Sequence, residues 1–346
     1  SQQAPDFESR TVTLGTSIEG GWLKLFEELP KQGVHTVGIE TDRVPSSLFE
    51  TISAKAKELG LQLVATAPSL VEEVRRAAGD VVKLKPAPIW PIDAQLVGRT
   101  VKERLAIAHP MFDQEKLDGL LVTALDEIAW ITNLRGLHFD YQATFRAQAL
   151  VRRDEVIVAA DPKQLRAGPK GKPVDATMIE AGVRFVGEDG LPEAIAAVAR
   201  GWDAPAPAFA SREARLPAMA RDSGPLRIGF DASMTPEATR AAVEKLGCTV
   251  VKASSPFAYA RTMKTPAELA HMVAAFERAD AVVNRVKSWL CSSVSRGEKI
   301  TEAMVAEKTR ALFLRSCAFG GSFKVISAAG KNGAVIHYST PDETTP

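Results

Sequence analysis

Five histidines are the residues of this chain best suited to proton or metal chemistry. His35 lies in "VHTVGIE" at a strand start, His109 precedes Pro110 in a loop, His138 follows the "NLRG" turn and His271 sits on a long helix. None has a second His or Cys at metal-ligand spacing, so structural or surface roles are expected for these four. His337 has a different setting. It falls late in "GAVIHY", read as a strand, after the turn "GKNGA" and before Ser339-Thr340-Pro341. A polar group at a strand end beside a loop is where open sheets present catalytic side chains. Asp126 and Glu127 resemble paired carboxylates, but neighbours on one helical turn do not face a common point, so a cap or ion pair is expected. "RAGPKGKP" (166–173) has Pro173 where a phosphate loop needs Ser or Thr, and reads as a flexible basic loop. The sequence contains no Gly-x-Ser-x-Gly elbow, zinc-type His-Glu-x-x-His or dinucleotide glycine fingerprint. Cys248, Cys291 and Cys317 are odd in number and widely spaced, which suits buried thiols in a reducing compartment.

The elements that must position these residues are α/β. "VGIETDRVPSSLFETISAKAKELGLQLV" from Val37 and "IGFDASMTPEATRAAVEKLGCTVV" from Ile228 follow one plan. Each is a short strand ending in an acid (Glu40, Asp231), a polar turn with a proline (Pro45, Pro236), an amphipathic helix ending in Leu-Gly, and a second strand. Gly60 and Gly247 are the expected C-terminal signals. Thr235 reads as an N-cap with Pro236 first in the helix. Helices between short strands imply an α/β layer with a mostly parallel sheet. The second copy is preceded by a strand, "LDGLLVTA", a helix, "LDEIAWITNL", and a hairpin of "FRAQALV" with "VIVAA". Only "TVTLGTS" and the helix "GGWLKLFEELPKQG" precede the first copy, so its domain is expected to lack its opening half. Pro86, Pro88 and Pro91 mark an extended linker. Thr100 with Glu103, and Thr265 with Glu268, form capping boxes. A long helix follows the second box, with Leu269, Met272, Ala275 and Phe276 at helical spacing. A helix over about Thr301–Phe313 and the strands "SFKVISA" and "GAVIHY" end the chain.

At 346 residues the chain exceeds one average core. Its 45% apolar and 25% charged residues are ordinary for a globular protein. The balance of 43 Lys and Arg against 42 Asp and Glu argues against a nucleic-acid footprint. No run approaches the roughly 20 apolar residues of a membrane span.

Three stretches together resemble the cytosolic-type Xaa-Pro aminopeptidases of the creatinase and methionine-aminopeptidase superfamily. They are "PIWPIDAQLVGRTVKERLA", "LLVTALDEIAWITNLRG" and "GKNGAVIHYSTP", in the family's order. The resemblance implies two α/β domains of the creatinase N-terminal type and the opening part, α+β in character, of a pita-bread catalytic domain. The expected ranges are 1–85 for the first, incomplete domain, 86–99 for the linker, 100–256 for the second domain and 257–346 for the peptidase segment. It implies release of the N-terminal residue from peptides with proline second, two divalent metals (manganese expected), a homodimer when full-length and a cytoplasmic setting. Neither nucleic acid nor membrane is an expected partner. His337 matches the residue that lines the substrate pocket and orients substrate or stabilises the transition state. The family's metal ligands follow the "HYxP" motif, while Pro341 is followed here by "DETTP", so no metal site is expected in this chain and it is expected to be inactive alone. A non-catalytic scaffold or dimerisation module derived from the family is the alternative. Arg135 is expected to bond carbonyls or a carboxylate. His138 and Gln142-Ala143 replace the family's usual Asp and Asn-Pro. A catalytic domain cut in its first third would expose apolar residues over 265–346, making that part poorly soluble alone or covered by a partner.

Overall fold

A computed structural model describes residues 18–66, 69–80, 86–168, 170–174, 180, 182–199, 224–316 and 318–344. The expected strand "TVTLGTS" lies outside the described residues, apart from the helix beginning at Ile18, and so does Cys317.

The two copies form as read. In the first, β1 (Thr36–Ile39), α2 (Ser46–Glu58) and β2 (Gln62–Ala65) follow a helix α1 (Ile18–Glu28). In the second, β9 (Arg227–Phe230), α9 (Glu237–Lys245) and β10 (Thr249–Lys252) repeat the order. Each strand pair is parallel. Gly60 and Gly247 close the two helices at φ 69° and 83°, a region costly for any residue with a Cβ. Thr235 is not the cap expected of it. Pro236 holds that position with extended ψ, and the helix begins at Glu237. The reason is a contact between copies. Ser46 donates its N–H to Thr235 O (2.9 Å), and Glu237 donates its own to Val44 O (3.0 Å). Ser47 to Ala232 O and Ala238 to Thr41 O repeat the exchange one turn on. The same positions of both copies bond each other across a local two-fold, with Pro45 opposite Pro236.

The second copy is one edge of a six-stranded sheet, ordered β10-β9-β4-β6-β7-β8. The inner strands are β4 (Gly119–Val122), β6 (Gln148–Val151) and β7 (Val156–Ala159), and β8 (Val183–Val186) is the far edge. The β6–β7 hairpin is antiparallel, as is β4 with β6, while the other three pairings are parallel. The sheet is therefore mixed, parallel in three of its five pairings, and a four-residue connection allows β6 and β7 only an antiparallel pairing. Period-two alternation sends β6 and β7 side chains to both faces. Ala149, Val151, Val156 and Val158 pack against α5 (Val101–Leu105), α6 (His109–Glu115) and α7 (Leu125–Ile131). Leu150, Ile157 and Ala159 pack against α8 (Leu191–Ala199) and Val243 of α9. Each fully buried Leu or Ile here stabilises by about 1.5–3 kcal/mol relative to exposure. The first copy has a smaller core of Phe26, Ile39, Ile52, Ala56 and Leu61.

The Pro-rich stretch is extended but is no free tether. Ile89 is fully buried, and β3 (Ile89–Pro91) pairs antiparallel with β5 (Leu134–Gly136). Arg166 N–H reaches Ile89 O at 2.7 Å. That bond, and Ala167 N–H to Lys172 O, make "RAGPKGKP" a pinned turn rather than the flexible loop expected from its composition.

Both capping boxes form, at Thr100 and Thr265. The second opens α11 (Pro266–Ser295), which packs on α12 (Glu302–Arg315). Leu269, Met272 and Phe276 are exposed on α11, in line with the apolar exposure expected over 265–346, and Cys291 is exposed too, contrary to the burial expected of the thiols. Val282 and Ser293 are the α11 residues buried among those described, so its apolar stripe and its thiol face outward. The two final strands do not form. A strand needs a neighbouring backbone to take its N–H and C=O groups, and among the described residues none pairs with 322–328 or 333–338. The chain turns instead through a 3-10 helix, Gly330–Ala334.

Candidate functional site

α12 begins where Thr301 caps it, accepting Met304 N–H at 3.3 Å. This places Glu302 in the first turn. Its side chain turns away from solvent, with the residue 3% exposed, and meets a loop far along the chain. Ala329 N–H donates to Oε1 at 2.6 Å and Asp342 N–H to Oε2 at 2.9 Å. The Asn332 amide donates to both oxygens, at 3.1 and 3.3 Å, and to the Tyr338 hydroxyl at 3.1 Å. Burial pushes the Glu302 carboxyl up. The backbone donors of Asp342 and Ala329, then the Tyr338 hydroxyl and Asn332 amide, outweigh it and hold the group at about 2. A carboxylate accepting several N–H bonds is stabilised in its charged form. The Tyr338 hydroxyl is shifted the other way, first by burial and then by Glu302.

Between these anchors the loop is built from short steps. Asn332 N–H bonds Ala329 O, Val335 bonds Asn332 O and Tyr338 bonds Val335 O. The tip carries Ile336, 85% exposed, and His337, also exposed. No described residue hydrogen-bonds the His337 ring, so the imidazole is available to a ligand as donor or acceptor. Asp342 spends one oxygen on Thr344 N–H and hydroxyl, both at 2.6 Å.

The other histidines have local partners or lie on the surface. The His138 ring lies 3.2 Å from Ala87 O through Nε2 and accepts Arg146 N–H at Nδ1, which fixes its tautomer. His109 opens α6 rather than lying in a loop, and its Nε2 meets Arg153 O at 2.9 Å. His35 and His271 are exposed. Asp126 and Glu127 diverge as their spacing requires, Asp126 to Arg261 at 2.5 Å and Glu127 to the Ser255 hydroxyl at 2.9 Å. Burial pushes the Glu127 carboxyl up against that hydrogen bond and Arg261. Arg135 donates to Ala129 O and Leu134 O, both at 2.8 Å, the carbonyl role expected of it.

A cavity of about 480 Å³ lies where α7 meets α10 (Pro256–Ala260) and the start of α11. Asp126, Trp130, Arg135, Arg261 and Glu268 line it. Its carboxylates are spent on structure: Asp126 on Arg261, Glu268 on the Thr265 cap. Fully buried Arg104 lies 4.3 Å from the Trp130 ring centre and donates to Trp130 O. Burial, then repulsion from Arg135, holds that guanidinium down to about 10. Thr262 and Lys264 also line the cavity, and they donate to the carbonyls of Tyr259 and Arg261.

Among the described residues no group of three or more His, Cys, Asp or Glu could hold a metal ion. No helix of the described residues is long and apolar enough to cross a membrane. The sequence singles out His337, which lies on this exposed loop, and gives no expectation for Glu302. The one available signal was an acid in the first turn of a capped helix, which ordinarily reads as a dipole partner.

Residues 81–268 match the model of the creatinase/prolidase N-terminal domain. The chain is 29% identical over 313 residues to a probable Xaa-Pro aminopeptidase P of Laccaria bicolor, covering 90% of this chain and 44% of that protein. It is 26% identical over 347 residues to the probable Xaa-Pro aminopeptidase P of Aspergillus niger, covering 97% and 51%. The chain thus spans about half the length of the curated relatives it matches. Among solved structures it superposes on an X-prolyl aminopeptidase of Caenorhabditis elegans, described as a cytosolic enzyme with a di-nuclear active site. The TM-score is 0.75 at 19% identity, over 98% of this chain and 49% of that one, a likeness of fold.

Proposed function

Because this chain belongs to the creatinase/prolidase N-terminal domain family, as a relative of the aminopeptidases P, we propose that it serves a metal-dependent Xaa-Pro aminopeptidase. Its part is the two N-terminal-type domains and the His337 loop. The observation that carries this reading is similarity to aminopeptidases P over nine-tenths of the chain, with His337 on an exposed, anchored loop. The substrates are peptides with proline second. Such a bond is a tertiary amide without an N–H, so recognition must act through carbonyl oxygens and side chains. An exposed imidazole can donate to the carbonyl next to the scissile bond, orienting it and stabilising negative charge as it develops.

Two divalent ions, manganese by expectation, belong to the complete enzyme and would supply an activated water. The described residues do not fit a metal pair, so no step is assigned to metals on this chain, and the chain alone is expected to be inactive. The complete protein is a cytoplasmic homodimer in this reading. The exposed apolar side chains of α11, with Phe319, Phe323 and Val335, support cover by a further domain or subunit. The test is manganese-dependent release of the first residue from an X-Pro peptide. This chain alone is set beside a protein joining it to an aminopeptidase P catalytic half. Turnover by the joined protein, lost in His337→Ala, is expected. A joined protein that folds, binds metal and shows no X-Pro preference would favour a scaffold role instead.

A further inference from the structure

We propose that Glu302 is a positioning residue, a clamp that ties both ends of the 329–342 loop to the first turn of α12 and so fixes where His337 is presented. Its catalytic consequence rests on the peptidase reading above; the clamp itself does not. The bonds inside the loop run three residues back, from 332 to 329, 335 to 332 and 338 to 335. They shape the loop but cannot locate it on the protein. Location comes from Glu302, which holds residues 329, 332 and 342 at once, and from the neighbouring Ala303 N–H on Asp342 O at 3.1 Å. α12 is in turn packed on α11. The path from body to imidazole is therefore α11, α12, Glu302, loop, His337.

The chemistry needs a carboxylate of this length. Ala329 N–H, Asp342 N–H and the Asn332 amide all donate, and a carboxylate offers two acceptor oxygens and no donor. Glutamine would turn an N–H₂ group toward other donors. Aspartate is one methylene short of reaching both chain ends. The tip gains nothing else from the described residues: Ile336 and His337 face solvent. Without the clamp the loop keeps its turns and the Ala303–Asp342 bond, and loses the hold on Ala329 and Asn332 that fixes its other end.

The experiment compares the full 346-residue chain with its Glu302→Ala, Glu302→Gln and Glu302→Asp variants, each labelled with ¹⁵N. Exchange of the Ala329 and Asp342 amides should rise by roughly tenfold or more in the Ala and Gln variants, the usual loss for a bond to a charged acceptor. The His337 ring signals should shift or broaden, while buried amides of β6 and β7 keep their protection. Unchanged His337 signals and loop exchange in both variants would overturn the clamp. So would loss of protection throughout the six-stranded sheet, which would make Glu302 a general stability element. In the joined enzyme, Glu302→Gln should lower kcat more than it raises KM, and should add little on a His337→Ala background. Full additivity there would overturn the proposed action through His337. Absence of turnover in the unsubstituted joined enzyme would sink the peptidase reading alone, leaving exchange and ring signals to decide the clamp.

Discussion

The six-stranded unit and the 329–342 loop solve the same problem in opposite ways. Both must satisfy backbone polar groups and hold a defined position. In the sheet, β6 and β7 pair on each side and bury both faces between two layers of helices. Order there is distributed over many contacts. In the loop no described strand is alongside, and two chain ends converge on one carboxylate. Distributed order should fail only when the core is damaged, and then everywhere. Concentrated order should fail at one atom group and only locally.

The largest effect tests the distributed side. Ile157→Ala removes a fully buried side chain between β7 and α8 and should cost about 2–5 kcal/mol, read as a lower urea midpoint. The loss should be cooperative, with far-ultraviolet and tryptophan signals moving together. Next is Thr265→Ala. Its hydroxyl accepts Glu268 N–H at 3.1 Å and donates to Val97 O at 2.8 Å, tying α11 to α4 (Ala94–Val97). Loss of cap and tie should cost about 1–2 kcal/mol in thermal unfolding. Smaller again is Ser46→Ala, which removes the hydroxyl bonded to Glu237 at 2.8 Å across the local two-fold between the copies. Arg240 still pairs Glu237, so about 1 kcal/mol is expected. An effect confined to the first copy would show that its small core opens separately.

The smallest global effect belongs to pH at Glu302. Its carboxyl is lowered from 4.5 to about 2. A depressed acid stabilises fully above its ordinary value, and that contribution is lost as pH falls through the folded one. Loop protection, corrected for intrinsic exchange, should therefore be flat from about pH 7 to pH 5 and disappear only near pH 2. Loss of loop protection near pH 4.5, with the sheet intact, would contradict the clamp's electrostatics.

This contrast also explains what was legible in the sequence. The repeat, the hairpin, the capping boxes and the glycines at 60 and 247 are local patterns, and local patterns carry their own geometry. Ile89 was less legible, since Pro86, Pro88 and Pro91 suggest a tether and only the strand at 134–136 makes it core. "SFKVISA" and "GAVIHY" have strand composition, yet strand propensity is a fit to neighbours that the described structure does not provide. Glu302 was silent because its partners lie 27 to 40 residues away and no periodicity links them. His337 was singled out by family resemblance and placed in a strand, whereas it lies on an exposed loop.

The central claim of the proposed peptidase reading is that this chain supplies a presented imidazole, while no group of its described residues could hold a metal ion. Manganese binding to the purified chain, followed by calorimetry and by metal content after desalting, tests it most directly. The account predicts no stoichiometric metal at neutral pH, and no change on His337→Ala. Two manganese ions retained per chain, held by side chains within residues 1–346, would contradict it.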